Sequence, residues 1–282
     1  MPSKKEILEL SPVLQKYFTR EKAFDEILNL QGKIFRKHKN RRTLRFEVNG
    51  IGFFVKIHRK IGLKEILKNI SSLKLPVFGA GNELEAINKL TELGIDTMKI
   101  AGFGQRGSSP LWMESFLITE ELTNTISLEA LTKNWKINPP SFNLKLSLIK
   151  KVAGITRTMH KSGINHRDLY ICHFLLDKTI PDWEEGKNIK LYIIDLHRVQ
   201  MREKTPNRWI IKDLSGLLFS AMDAGITKKD VFRFMIEYSQ KPLRIILKED
   251  PCFWNKIYSK AIALYKKEFK RFPDFLFNPK KC

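Results

Sequence analysis

The chain has 282 residues, of which 43% are hydrophobic and 29% are charged. That length suits one large domain or two lobes that share a cleft, and the composition excludes a largely disordered chain. Lys and Arg number 51 against 30 Asp and Glu, a formal charge of +21. This excess favours a polyanionic partner: nucleic acid, an anionic membrane, an acidic protein or a phosphorylated glycolipid. A basic surface that serves only solubility is the alternative.

Targeting signals are missing from the sequence. No apolar run approaches the roughly 20 residues that span a bilayer, and the N-terminus MPSKKEILEL lacks the apolar core of a signal peptide. The three cysteines include no CxxC pair, so no zinc knuckle is indicated. We therefore expect a cytoplasmic protein.

The first 122 residues have mainly the pattern of a sheet. Residues 1–30 carry apolar positions at helical spacing and are predicted to form an N-terminal helical extension. Asn49-Gly50 predicts a tight hairpin, and the segment 82–93 predicts a helix that ends at Gly94. Strands are predicted at 33–37, 43–48, 51–57, 97–104 and 111–120.

Longer helices dominate after residue 122. The clearest runs from Phe142 to Lys161, after Pro139-Pro140. The runs FLL and LYIIDL predict a small second hairpin, and the rest reads as amphipathic helix. The order predicts an α+β fold of two lobes: residues 31–122 as an N-terminal β-rich lobe and residues 123–282 as a C-terminal α-helical lobe.

Lys56 and Glu83 are a candidate ion pair. Lys56 lies in the apolar strand FFVKI, where a lysine is unfavourable unless it has an anionic partner. Glu83 shares a helix face with Ala86 and Ile87, whereas Glu85 points away from it. Each has a simpler alternative, an edge-strand lysine in water or an acidic residue favoured by the helix dipole. Their combination favours pairing and a role at nucleotide phosphates.

The stretch NHRDLYICHFLL contains the start of a kinase catalytic loop. In the kinase template the Asp orients the acceptor hydroxyl, so Asp168 takes that role, and His166 and Arg167 brace the loop. Asp195 follows 27 residues later at the end of LYIID, where kinases place their metal-binding Asp. Asp213, in a later helix, is predicted to hold the loop backbone.

Several positions depart from the protein-kinase pattern. His173 stands where kinases carry a metal-binding Asn, and Leu196-His197 replaces the Phe-Gly after the metal Asp. The turn RKHKNRR has no glycine, so phosphate contacts there would come from Arg41 and Arg42 or from backbone amides; a solvent-facing basic turn is the alternative. The segment that joins the lobes adds three candidate nucleotide contacts: Glu120, Glu121 and Leu122.

Several separated blocks resemble the lipopolysaccharide core heptose(I) kinase family, which has a protein-kinase-like fold. They occur in the same order from about Gln31 to beyond residue 235: NLQGK, RRTLRFEV, FFVKIHRKIG, LPVFGAGNE, NHRDLYICHFLL, IIDLHRVQ and TPNRWIIKDL. The resemblance implies ATP-dependent, Mg²⁺-dependent phosphorylation of the first heptose of the lipopolysaccharide inner core. It implies Asp168 as catalytic Asp, Asp195 as metal ligand, and Lys56 with Glu83 at the phosphates. Whether His173 ligates the metal stays open, since Mg²⁺ prefers oxygen ligands.

The resemblance also offers an explanation for the charge. Its acceptor glycolipid is polyanionic and lies at an anionic membrane surface, which implies a peripheral position on the inner face of the inner membrane. Arg198, Arg202 and Tyr170 are candidate acceptor contacts, and residues 58–68 are either a membrane-facing segment or an ordinary packed helix. An acyl carrier protein is a further candidate partner. The alternatives are a kinase of the same fold with another acceptor, and a non-catalytic basic binding protein; a nucleic-acid binder is disfavoured because no such motif is present.

Overall fold

The computed structural model describes residues 6–38, 40–60, 79–107 and 112–274. The chain divides into two compact units. The first comprises Met1–Lys89, Met98–Thr123 and Leu196–Arg198, and the second comprises Leu90–Thr97, Asn124–Asp195 and Val199–Cys282.

A six-stranded sheet forms the frame of the first unit. Its strands lie in the order β1-β5-β6-β4-β3-β2, and every neighbouring pair is antiparallel. The strands are β1 (Glu6–Leu10), β2 (Lys33–His38), β3 (Arg41–Val48), β4 (Ile51–His58), β5 (Ile100–Arg106) and β6 (Glu114–Glu120), and the helices are α1 (Pro12–Tyr17), α2 (Ala23–Asn29) and α3 (Gly81–Glu92).

The β3–β4 hairpin has the turn that the sequence predicts. Asn49 and Gly50 both have positive φ, 53° and 76°, and Val48 pairs with Ile51. Two consecutive left-handed residues form the turn whose twist matches antiparallel strands, and Asn-Gly is the dipeptide that adopts it most readily. This turn fixes the register of β3 on β4, and with it the face on which each β4 side chain lies.

Helices α1 and α2 cover one face of this sheet. Leu44 and Phe46 of β3 and Phe53, Val55 and Ile57 of β4 are buried there. The helices contribute Leu14, Phe24, Ile27 and Leu28 to the same core, and Phe18, which follows α1, joins them. Because side chains alternate along a strand, the even-numbered residues of β4 point to the opposite face. Lys56 is therefore directed away from this core.

The predicted helical extension over residues 1–30 is partly wrong. Helices α1 and α2 are present, but Glu6–Leu10 is a strand that pairs with β5 at the edge of the sheet. Leu8 and Leu10 pack against the core of the first unit, and Glu9 between them is exposed. An alternation over five residues fits a strand as well as one helical turn, and only the edge of β5 decides between them.

The second unit is mainly helical. Its helices are α4 (Leu128–Thr132), α5 (Phe142–Lys161), α6 (Asn207–Ala221), α7 (Lys228–Ser239), α8 (Leu243–Glu249) and α9 (Pro251–Phe269). Short strands complete it: β7 (Thr125–Ser127), β8 (Ile164–Asn165), β9 (Phe174–Asp177), β10 (Leu191–Ile193) and β11 (Gln200–Met201). The order β10-β9-β7 confirms the predicted small hairpin, and β8 pairs with β11.

Local signals fix the ends of the long helices. Helix α5 begins after Ser141, whose hydroxyl accepts a hydrogen bond from the Leu144 amide. Helix α7 begins with a capping box between Thr227 and Asp230. Leu214, Met235, Ile246, Trp254 and Ile257 form a buried core among α6 to α9. In the part of the chain that the structure describes, no helix is both long and apolar enough to cross a membrane.

Candidate active site

The structure pairs Lys56 with Glu83, as the sequence predicts. The ammonium of Lys56, at the middle of β4, lies 2.5 Å from Oε1 of Glu83 in the first turn of α3. The Glu83 side chain is 2% exposed and that of Lys56 is 27% exposed. Glu85 is exposed. A buried carboxylate is tolerated when a cation neutralises it, so Glu83 holds the lysine in one position on this face of the sheet.

Two predicted phosphate-contacting arginines lie on opposite faces of β3. Arg41 pairs with His58 and shares the face of Lys56, whereas Arg42 pairs with Ile57 and shares the face of the core. Nη2 of Arg42 donates a hydrogen bond of 2.5 Å to the Leu28 carbonyl at the end of α2. The expectation that both arginines face one nucleotide is therefore wrong for Arg42, because adjacent strand residues point in opposite directions.

The acidic residues Glu120, which ends β6, and Glu121, which follows it, have ion-pair partners. Arg45 of β3 donates from Nε to both carboxylate oxygens of Glu121, at 3.0 and 2.9 Å. The carboxylate of Glu120 lies 2.7 Å from the ammonium of Lys99. The side chains of Glu120 and Glu121 are thus engaged in ion pairs that position this segment. Contacts from residues 120–122 to a nucleotide would therefore come from backbone atoms. Leu122 follows in the same segment, between β6 and β7.

His58 is a buried residue that the sequence reasoning missed. It lies two residues beyond Lys56 on β4, therefore on the same face, and is 8% exposed. Burial, together with the positive charges of Arg41 and Lys56, lowers the pKa of His58 to about 3. The imidazole is neutral at physiological pH, so it adds no charge beside the lysine. The period-two spacing of Lys56 and His58 was the available signal.

In the second unit, the buried carboxylate of Asp213 holds the candidate catalytic loop, residues 166–168, by its backbone. Oδ2 accepts a hydrogen bond from the His166 amide at 2.6 Å, and Oδ1 accepts one from the Arg167 amide at 2.8 Å. Asp213 is 1% exposed and lies in the middle of α6. The predicted structural role of Asp213 is confirmed. Hydrogen bonds from backbone amides to a carboxylate are charge-assisted, which makes this a strong anchor.

The loop has an unusual backbone at the anchored position. Arg167 has φ of 74°, in the left-handed region that non-glycine residues rarely adopt. Nε2 of the buried His166 donates to the Ile194 carbonyl at 3.0 Å, directly before Asp195. Burial lowers the pKa of His166, which keeps its ring neutral. The hydrogen bonds to Asp213 thus stabilise the left-handed backbone conformation of Arg167. The bond from His166 to Ile194 connects the loop to the segment that leads to Asp195.

His173 lies between the two candidate catalytic carboxylates in the chain. Its Nδ1 is 2.8 Å from the Asp168 carbonyl, and its Nε2 is 3.5 Å from Oδ2 of Asp195. A carbonyl only accepts, so Nδ1 carries a proton, and Nε2 is the ring nitrogen that faces Asp195. The His166 and His173 rings are stacked, with centroids 5.8 Å apart. Asp195 itself has φ of 63°.

Asp195 and His173 are the residues that would hold a magnesium ion together with substrate phosphates. Mg²⁺ in nucleotide sites is bound by one or two protein carboxylates together with substrate phosphates. Asp195 offers a carboxylate, and Nε2 of His173 is an acceptor whose other nitrogen is fixed by a carbonyl, the usual arrangement of a ligating histidine. Across the described ranges, no group of three or more His, Cys, Asp or Glu side chains is placed to hold a metal ion by itself.

The candidate acceptor residues have different surroundings. Tyr170 packs against α6, with its ring 6.2 Å from that of Phe219. Arg202 follows β11 and donates from Nη1 to Oδ1 of Asn165 at 2.6 Å. Arg198 lies in the short 3-10 helix Leu196–Arg198, which belongs to the first unit. Of the predicted segment 58–68, only residues 58–60 are among the described residues.

Cys172 lies within the loop segment as a partly buried free thiol. Burial raises the pKa of its thiol to about 11. A raised pKa favours the protonated thiol at neutral pH.

A cluster of cationic side chains around Trp209 of α6 was not predicted from the sequence. Four cationic side chains surround the ring of Trp209, with their charged groups 5.3 to 5.9 Å from its centroid: Arg167, Arg202, Arg208 and Lys212. In the sequence, only the positions of Arg208 and Lys212 around Trp209 gave a local signal. The other two cations come from the catalytic loop and from the end of β11.

The fold and the anchored His-Arg-Asp loop define a phosphotransferase of the protein-kinase-like class. A family model described as "Lipopolysaccharide kinase (Kdo/WaaP) family" matches residues 25–238. The chain therefore belongs to that family of kinases.

Individual proteins that are similar to this chain carry names that agree with this family assignment. The chain is 48% identical over 255 residues to the "Lipopolysaccharide core heptose(I) kinase WaaP" of Escherichia coli K12, which covers 90% of this chain and 96% of the relative. The protein of the same name from Pseudomonas aeruginosa is 46% identical over 253 residues, or 90% of this chain and 93% of the relative. A solved structure, "WaaP in complex with acyl carrier protein", matches with a TM-score of 0.79 and 40% identity, covering 92% of this chain and 99% of that one.

Proposed function

We propose that this chain transfers the γ-phosphoryl group of ATP to a hydroxyl of the first heptose of the lipopolysaccharide inner core. The observation that carries the proposal is the similarity to named heptose(I) kinases, at 46 to 48% identity over about nine-tenths of the chain. The anchored loop around Asp168 supports it, because a loop held by a buried carboxylate is what a phosphotransfer site requires.

The first unit is proposed to bind the nucleotide. Lys56, fixed by Glu83, would bind phosphate oxygens as a point charge, and Arg41 on the same face would add a second cation. The backbone of residues 120–122 would contact the base. In this division, residues 31–122 form the nucleotide-binding part, and residues 123–282 carry the catalytic loop and the acceptor site.

Magnesium is proposed to bind at Asp195 and His173. When bound, the ion neutralises charge on the phosphate oxygens during transfer. Nδ1 of His173 donates to the Asp168 carbonyl, so the same bond that orients the imidazole also fixes the backbone of the catalytic Asp. Replacement of the usual Asn by His thus keeps a ligand at this position and adds a link between Asp195 and the loop.

Asp168 is proposed to orient the heptose hydroxyl and to accept its proton. The hydroxyl oxygen attacks the γ-phosphorus, the bond to the β–γ bridging oxygen breaks, and ADP leaves with that electron pair. The Asp213 bonds to the neighbouring amides hold Asp168 in one position, because Arg167 cannot relax from its left-handed conformation while they persist.

Transfer of ³²P from ATP to a defined acceptor tests the proposal. Wild-type protein should label heptose-bearing, unphosphorylated core glycolipid and should not label a glycolipid that ends at Kdo. Asp168→Asn should lower the rate at least 1,000-fold, since removal of an essential catalytic group costs on that order. Circular dichroism and the melting temperature check that this variant is folded. Labelling of peptides or aminoglycosides in place of the glycolipid would reject the acceptor.

An acyl carrier protein is proposed as a partner. The solved relative is described as a complex with one, and such proteins are acidic, which suits a chain of charge +21. The second unit also contains a cavity of about 140 Å³ with almost entirely apolar walls, including Leu148, Ile149, Ala221 and Phe234. An apolar cavity of about 150 Å³ accommodates a benzene molecule, so this one has room for part of an acyl chain.

Gel filtration with acylated and unacylated carrier protein tests this partner. The acylated form should co-elute with wild-type protein, and Ala221→Phe, which fills the cavity, should weaken that association without changing binding of the unacylated form. Equal association of both forms would remove the cavity from the proposal.

The same basic charge is proposed to hold the kinase peripherally at the inner face of the inner membrane, and this predicts salt-sensitive binding to anionic vesicles.

A further inference from the structure

The cations around Trp209 form a compact positive cluster beside the catalytic loop. The charged groups of Arg167, Lys212, Arg208 and Arg202 lie 5.3, 5.4, 5.5 and 5.9 Å from the centre of one indole ring. Like charges this close repel one another, and the negative face of an indole offsets only part of that repulsion. An anion bound among them would offset much more, because each guanidinium and ammonium donates charge-assisted hydrogen bonds.

The backbone at this point adds to the positive potential. Arg208 and Trp209 lie in the first turn of α6, which contains no acidic residue and has no side-chain cap. Helix N-termini attract anions through their free amides. The one acidic residue of α6 is Asp213, whose oxygens accept the His166 and Arg167 amides. The carboxylate of Asp213, which follows Lys212 in sequence, thus binds the loop backbone.

The position of the cluster indicates which molecule would supply the anion. Arg167 directly precedes Asp168, the residue proposed to bind the acceptor hydroxyl. Arg202 is tied to Asn165, at the start of the same loop. A group bound among these cations therefore lies next to the acceptor and is held by the same loop. In the proposed acceptor, the negatively charged neighbours of the heptose are the carboxylates of the sugar acid Kdo.

We propose that Arg167, Arg202, Arg208 and Lys212 around Trp209 bind a Kdo carboxylate of the acceptor glycolipid and thereby place the heptose hydroxyl at Asp168. This inference rests on the proposed function and names the feature of the acceptor that the enzyme recognises. Selection of a heptose that is attached to a sugar acid over an isolated heptose follows from it.

Acceptor kinetics with Arg208→Ala test the site. Arg208 is exposed, so its truncation leaves the fold intact. The KM for the glycolipid should rise at least tenfold, while the KM for ATP and kcat at saturating acceptor stay within twofold of wild type. Arg208→Lys, which keeps the charge, should recover part of the loss. Lys229→Ala removes an exposed cation from the start of α7 and should behave as wild type. An unchanged acceptor KM in Arg208→Ala would overturn the proposal.

Two altered acceptors identify the anion. Reduction of the Kdo carboxylates to alcohols should raise the wild-type KM at least tenfold and should raise the KM of Arg208→Ala by a smaller factor, because that variant has already lost one of the four cations. If removal of the lipid A phosphates abolishes the difference between the two proteins instead, the anion is a phosphate and the carboxylate assignment is wrong.

Binding of the intact and carboxyl-reduced glycolipids without ATP, followed by tryptophan fluorescence, reads the site independently of transfer. If wild-type protein transfers no phosphate to heptose, the proposed function fails, but the binding difference between wild type and Arg208→Ala still decides this inference. Equal affinity of the two proteins for the intact glycolipid would overturn it.

Discussion

Asp213→Asn removes one negative charge and one hydrogen-bond acceptor from beneath the catalytic loop. The native carboxylate accepts the His166 amide at 2.6 Å and the Arg167 amide at 2.8 Å, in a site that is 1% exposed. Asparagine has one carbonyl oxygen, so it can accept only one of these amides in place. Its NH₂ group would face the other N–H, which leaves a buried donor without an acceptor.

The expected loss has two components. Hydrogen bonds to a charged group contribute about 1.5 to 3 kcal/mol each, and an unsatisfied buried donor costs a further ~1 to 3 kcal/mol. Loss of one bond and weakening of the other should therefore lower the free energy of unfolding by about 3 kcal/mol. Arg167, held at a φ of 74°, is then free to relax toward an ordinary conformation. A shift of about 1 Å at Asp168 lowers kcat on the order of 100-fold.

Urea unfolding and steady-state kinetics measure both effects, with Asp177→Asn as the matched control. Asp177 is also buried, at 6% exposure, and accepts the Thr179 amide and the Tyr192 hydroxyl outside the loop. That control should lose stability and retain kcat at a temperature where it is folded. Equal values of kcat for Asp213→Asn and the control would refute the claim that Asp213 positions Asp168. Asp213 would then contribute to the free energy of unfolding and not to kcat.

The other predictions concern the nucleotide face and the metal. Glu83→Gln leaves Lys56 without its carboxylate, so the KM for ATP should rise at least tenfold while the KM for the glycolipid stays constant; an unchanged ATP KM would contradict the pairing role. His58 has a pKa of about 3 in the fold against 6.5 in the unfolded chain. Below pH 6.5 the unfolded chain therefore binds a proton that the folded chain does not, and the free energy of unfolding falls as the pH is lowered. Between pH 7 and pH 5, wild-type protein should lose about 2 kcal/mol more than His58→Gln in urea titrations, and parallel losses would disprove this. For His173→Ala, the Mg²⁺ concentration for half-maximal rate should rise at least tenfold, with recovery in His173→Asn; identical Mg²⁺ curves for all three proteins would exclude ligation at Asp195.

Local patterns predicted much of the first unit. The Asn49-Gly50 turn, the strand around Lys56 and the helix that begins near Glu83 each follow from short-range chemistry, and burial of Glu83 with exposure of Glu85 follows from the helical period. The strand at residues 6–10 could not be predicted in this way, because five residues fit both periods and the edge of β5 decides the outcome. Arg42 was misassigned for a related reason, since one step along a strand reverses the face.

The catalytic loop was predictable because its residues occur together in a motif. The partners that hold the loop come from elsewhere in the chain. Asp213 was identified by its position in the kinase pattern, whereas the Nδ1 bond from His173 to Asp168 and the meeting of Arg167 and Arg202 at Trp209 depend on tertiary packing. No local spacing carries that information. The cation cluster therefore could not be predicted from the sequence, because it depends on how β11, α6 and the loop pack together.

Mass spectrometry of the lipopolysaccharide core tests the central claim most directly. Cells that lack their own heptose(I) kinase would be complemented with this chain, either wild type or Asp168→Asn at matched expression. We expect one added phosphate on the first heptose with wild type and none with Asp168→Asn. An unphosphorylated first heptose in cells with wild-type protein, or equal phosphate with both proteins, would contradict it.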